Sequence, residues 1–144
     1  MSDALNDLTQ LDITPDYIRR RVDDWVQRVS ELYDLLERWL PEGWTATRTF
    51  TVPMHEELMQ KFGVPPRDLP VLDLIHTDGK RAIVKPRGLW IIGANGRLDL
   101  RGSTGAYIVI DKASSFSPPS WHVAALTDRT KLVKLTQTKF RQII

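Results

Sequence analysis

Ile18, Val22, Trp25, Val29, Leu32, Leu36 and Trp39 recur at alternating steps of four and three, and no other feature of the chain restricts its fold so strongly. Steps of three and four return to one side of a 3.6-residue helix, so the spacing predicts a helix of about six turns carrying a continuous apolar stripe. Val26, Tyr33 and Leu40 widen that stripe beyond the narrow seam of a coiled coil. Thr14, Pro15 and Asp16 supply a hydroxyl cap, a proline at the first helical position and an acid in the first turn. Pro41 and Gly43 end the helix. An apolar face of this length needs a cover, and the rest of the chain offers strands to provide it.

From Trp44 to Val52 the chain alternates Trp44, Ala46, Arg48, Phe50 and Val52 with four threonines, a period of two that predicts one strand with a wet face. A short helix is expected from Pro53 to Phe62, then a stiff connector over 64–69 around Pro65-Pro66. Strands follow at 71–76 and 81–85, joined through Asp78-Gly79, then at 89–92 and 97–101, joined through Ala94-Asn95-Gly96. Further strands are expected at 107–111, 121–125 and 132–135, with Thr136 or Thr138 capping a last helical turn. The fold class is therefore α+β: a long N-terminal amphipathic helix packed on a twisted, mostly antiparallel meander sheet able to curl into a half-barrel, with short helices after the first strand and at the C-terminus. Residues 1–13 read as a flexible tail and 14–144 as one domain.

Composition bears mainly on what the domain can do. With 42% hydrophobic and 26% charged residues the chain is globular rather than disordered. It has no cysteine, which excludes disulfides, thiolate metal sites and cysteine nucleophiles. Met1 to Gln10 lacks the basic and apolar regions of a signal peptide, and Leu89–Ile92 is too short to span a bilayer. A cytoplasmic location without a membrane partner is expected. Net charge is +2, yet residues 1–78 carry −7 and residues 79–144 carry +9. Either an acidic helix neutralises a basic sheet, or the sheet offers a basic surface to nucleic acid or an acidic protein.

Candidate chemistry centres on the strands 97–101 and 107–111. Alternation turns Leu98 and Leu100 inward and Arg97, Asp99 and Arg101 outward, and it places Tyr107 and Asp111 on a common face. If these groups converge, Arg97 and Arg101 can grip a phosphate or carboxylate, and Asp99 with Asp111 can hold a hard cation. The ordinary reading is a ladder of cross-strand ion pairs on a solvated face. Lys85 and Arg87 extend the basic run, and Trp90 and Tyr107 are aromatics available to stack on bases.

Other motifs fall short. His55-Glu56-Glu57 lacks the second histidine of a zinc-protease helix. Asp73 and His76 point to opposite faces of a strand, and Asp78 belongs to the turn. Gly88, Gly93 and Gly96 form no phosphate loop and suit hairpins. No serine sits in a nucleophile elbow.

No cofactor is expected. The preferred expectation is a noncatalytic interaction module, a small bacterial accessory or inhibitor protein that binds another protein. A nucleic-acid-binding protein using the basic sheet face and a small metal-dependent phosphoesterase using Asp99 and Asp111 are the alternatives. The helix stripe would also support a homodimer if the sheet covered only part of it.

Overall fold

The structure, a computed structural model, describes residues 13–144; the tail expected over 1–13 falls outside them except for Ile13. Helix α1, Pro15–Arg38, begins as its sequence dictates: Thr14 Oγ1 accepts the amide of Tyr17 at 3.1 Å, with Pro15 in the first turn. Ile18, Val22, Trp25, Val29, Leu32, Tyr33 and Leu36 are fully buried, and Trp39 lies tilted against Phe140 at 6.4 Å. The stripe is thus covered within one chain, so it offers no face for a homodimer. Each such aliphatic residue contributes about 1.5–3 kcal/mol by leaving water, which makes this contact the main anchor of the fold.

The cover is a seven-stranded antiparallel sheet. Its strands are β1 (Trp44–Thr47), β4 (Leu72–His76), β5 (Arg81–Ile91), β6 (Ala94–Gly102), β7 (Gly105–Asp111), β8 (Trp121–Ala125) and β9 (Val133–Lys134), adjacent in that order. The sheet is open, with β1 and β9 at its edges. A separate two-stranded sheet pairs β2 (Thr51–Met54) with β3 (Arg67–Pro70), and the short helix α2 (Glu57–Lys61) lies between those strands in sequence. Helix α3, Gln137–Ile143, is capped by Thr136, whose hydroxyl accepts the Lys139 amide.

Several boundaries differ from the sequence expectation, each for a local reason. The single strand expected over 44–52 is two. Arg48 leaves the sheet to bond Asp34 at 2.7 Å and Glu37 on α1, with its guanidinium 5.4 Å from the Tyr33 ring centre. Beyond it the chain pairs with β3, so the connector expected over 64–69 is in part a strand. Pro53 lies in β2 rather than opening a helix; proline is tolerated in such a two-stranded edge. The strands expected at 81–85 and 89–92 are one, with a register shift between Pro86 and Gly88. The following turn lies at Ile92-Gly93, where Gly93 has φ +81°, while Ala94, Asn95 and Gly96 already belong to β6.

All three described helices and the small sheet contribute to one core on one face of the large sheet, through residues such as Trp25, Met59, Leu69 and Phe140. Leu98, Leu100, Val109 and Val123 meet them from the strands. The opposite face carries only a small cluster of Ile108, Ile110 and Ala124, with Ala94 and Leu132 beside it.

Candidate functional site

Strand register decides which polar residues meet. In β5 and β6, Lys85 stands opposite Asp99 and Ile83 opposite Arg101; across β6 and β7, Arg101 stands opposite Ala106 and Asp99 opposite Ile108. These residues alternate with the buried Val84, Leu98 and Leu100, so they occupy the face turned away from the helices. Strand β4 adds Asp73 beside Ile83 and Ile75 beside Arg81. Five cations, Arg81, Lys85, Arg87, Arg97 and Arg101, therefore share the outer face.

Their carboxylate partners are few. Asp99 accepts from Arg97 Nε at 3.0 Å and lies 3.7 Å from Arg87 Nη1. Among the described residues, Arg81, Lys85 and Arg101 form no ion pair. The acidic helix does not neutralise them: Asp34 and Glu37 pair with Arg48, and Asp23 pairs with Arg67. Those cations come from the same acidic half of the chain.

Apolar surface lies among the cations. A pocket of about 230 Å³ is lined by Ile83, Lys85, Asp99, Leu100, Arg101, Ala106, Tyr107 and Leu126. A second recess beside it shares Ile83 and Arg101 and reaches Asp73 and Arg81. Ile75 and Leu126 are 43% and 38% exposed. The face thus combines apolar side chains with three cations that form no ion pair among the described residues.

Asp111 lies elsewhere, and Tyr107 borders the pocket from the other row of its strand. Tyr107 stands in the row of Leu100 and Ala125, on the helix side, with its hydroxyl 2.7 Å from Thr104 Oγ1. Asp111 is on that side too and is 0% exposed. Asp99 and Asp111 therefore occupy opposite faces, and the convergence of two carboxylates, two guanidinium groups and a phenol does not form. Trp90 also belongs to the helix side, where the Arg21 guanidinium lies 5.8 Å from its ring centre.

Asp111 instead centres a buried polar cluster. One oxygen accepts from Arg28 Nη1 at 2.7 Å and from Asn95 Nδ2 at 3.4 Å; the other accepts the amides of Ala113 and Ser120 at 2.9 and 2.8 Å. Arg28 also donates to Asp24 at 2.6 Å and to the carbonyl of Ser117. With every charge partnered, this cluster pins the loop 113–120 to α1 and presents no reactive group. Sequence reasoning passed over Arg28, although its position three residues after Trp25 and four after Asp24 put it at the margin of the stripe.

The remaining motifs have structural roles. Glu56 accepts the amides of Leu89 and Trp90 at 2.8 and 3.3 Å, so it clamps β5 to the start of α2 rather than serving a metal. His76 lies against Trp44, with ring centres 5.3 Å apart, and its Nδ1 accepts the Asp78 amide. Asp78 accepts the Lys80 amide, the main influence holding its carboxyl below the ordinary carboxylate range. No group of three or more metal-ligating side chains occurs among the described residues, and no helix there is long and apolar enough to cross a membrane. Comparison with family models, curated proteins and solved structures finds no match for the chain.

Proposed function

We propose that the protein is a noncatalytic interaction module that binds an acidic protein surface through the outer face of its sheet. One observation carries the reading: Arg81, Lys85 and Arg101 form no ion pair among the described residues and border recesses that hold Ile83 and Leu126, with Ile75 exposed beside Arg81. Apolar burial supplies affinity to such a patch, while unpaired cations select an acidic partner and speed its approach. A nucleic acid would use the same cations, but Trp90 and Tyr107, the aromatics available for base stacking, lie on the helix side. That weakens a single-strand reading. A phosphoesterase built on Asp99 and Asp111 loses its geometry, since the sheet separates the two carboxylates.

The test is affinity capture from a host extract, with and without nuclease, using the wild-type chain and the charge-reversed K85E/R101E variant. A protein retained after nuclease by the wild type and lost by the variant is the expected result. A captured species that disappears with nuclease treatment transfers the face to nucleic acid. Equal capture by wild type and variant removes the face from the reading altogether.

A further inference from the structure

A second surface lies at the end of the molecule where the β5–β6 turn, the loop 113–120 and the first turns of α1 come together. Gly93 and Ala94 from the turn, Ser114 and Ser115 from the loop, and Arg21 and Lys112 border one open recess. Two large apolar side chains project beside it. Ile92 at the turn is 102% exposed, as free of contact as in an extended peptide, and Phe116 in the loop is 48% exposed. A single exposed isoleucine needs no explanation, but this end has further features that isolated exposure does not produce.

Phe116 is the one described non-glycine residue with positive φ, at +66°. Side chains other than glycine, asparagine and aspartate rarely adopt that conformation, and it persists only where the surroundings impose it. Here they do: the loop is closed by Asp111, which takes the amides of Ala113 and Ser120, and by Arg28, which grips Ser117. The result is a half-exposed phenyl ring on a rigid support, one edge against Tyr17 with ring centres 6.2 Å apart. The Arg20 guanidinium lies 5.5 Å from that ring and 5.7 Å from the ring of Tyr17, with its Nε 3.6 Å from Asp16 Oδ2, so a cation paired on one side is held at the same tip. Arg21 and Lys112 add positive charge at the recess, and Ile13 stands 41% exposed just before the helix cap.

We infer that this end docks on an anionic lipid surface, with Ile92 and Phe116 entering the headgroup region and the surrounding cations facing lipid phosphates and carboxylates. Apolar residues on separate projecting tips, with cations between them, suit a fluid interface that closes around each tip. A protein partner would need a continuous apolar patch, which the open polar recess interrupts. This surface is distinct from the outer sheet face, and it sets aside the expectation of no membrane partner, which rested on spanning length alone.

The experiment is co-sedimentation of the full chain with phosphatidylcholine vesicles, with and without phosphatidylserine, at low and high salt. Sedimentation only with phosphatidylserine, reversed by salt, is expected. The I92S/F116N variant should lose roughly tenfold or more in apparent affinity. Asparagine suits the left-handed backbone and serine an exposed turn, so the fold should remain and wild-type melting behaviour checks that it does. A K112Q variant tests the charge of the recess without touching either tip and should also weaken binding, whereas K85E/R101E on the sheet should retain it. No sedimentation of the wild type at low salt overturns the proposal. So does unchanged binding of I92S/F116N, or loss only in K85E/R101E. Loss of a captured host protein by I92S/F116N, without any vesicle binding by the wild type, assigns this end to a protein instead.

Discussion

Gly96 fixes how closely β6 approaches α1. Its φ is +100°, and a Cβ added there would fall on Cζ3 of the Trp25 ring, which is buried beneath the sheet. Gly96→Ala therefore combines overpacking with an unfavourable backbone region and should cost roughly 2–4 kcal/mol, measured as a shift in the urea unfolding midpoint. A change within a few tenths would mean that Trp25 is free to move. At Asp111, replacement by alanine leaves Arg28 buried without its interior partner and should cost roughly 3–5 kcal/mol. Faster proteolysis within 113–120 should accompany that loss; if the loop stays protected, its clamp lies elsewhere. These residues also show how far side-chain placement is legible in the sequence. Alternation correctly divides Leu98 and Leu100 from Arg97, Asp99 and Arg101, because each choice follows from its neighbours in one strand. It could not relate Asp99 to Asp111, since that depends on the turn between strands. The two-residue turn at Ser103-Thr104 sets each odd-numbered position of β6 against an even-numbered one of β7, which sends the two aspartates to opposite faces.

At the scale of elements, α1 was legible from end to end because its cap, stripe and terminator all act within one segment. The interruption between β1 and β2 was not. The alternation of residues 44–52 continues smoothly through Arg48, and only the carboxylates of Asp34 and Glu37, supplied by a different element, draw that side chain out of the sheet. The same contact covers Tyr33, whose hydroxyl donates to the Pro70 carbonyl at 2.7 Å and ties α1 to the end of β3. Burial raises the Tyr33 pKa far above its ordinary value of 10.0, against smaller opposing effects from Arg48 and a backbone hydrogen bond at Leu72. The unfolded chain thus loses this proton before the folded one does. The linked stability is complete below pH 10.0 and declines as pH rises above it toward the folded value. Urea midpoints measured through that range should fall for the wild type and fall less steeply for Tyr33→Phe, which has no phenolic proton to lose. Parallel slopes would show that Tyr33 does not control alkaline unfolding.

Across the whole molecule, charge and packing follow different logics. Five of the six acids of α1 are matched, Asp16 by Arg20, Asp23 by Arg67, Asp24 by the buried Arg28, and Asp34 and Glu37 by Arg48, so the helix side is largely balanced. The outer sheet face is not, and its Arg81, Lys85 and Arg101 repel one another across neighbouring strands with no ion pair among the described residues to offset them. Cations needed for folding would be expected to have partners; cations kept for a partner outside the chain would lower stability slightly while serving binding. The R81Q/K85Q/R101Q variant separates the two cases. Removing three like charges from an exposed face should leave the melting temperature unchanged at high salt, where repulsion is screened, and raise it slightly at low salt. The same variant should lose capture of an acidic partner. A lower melting temperature at low salt would mean that these side chains stabilise the sheet through contacts within the chain, and their gathering on one face would then be a matter of folding rather than recognition. Stability retained or improved together with lost capture would separate the basic strands from the folding problem and tie their charge to the partner.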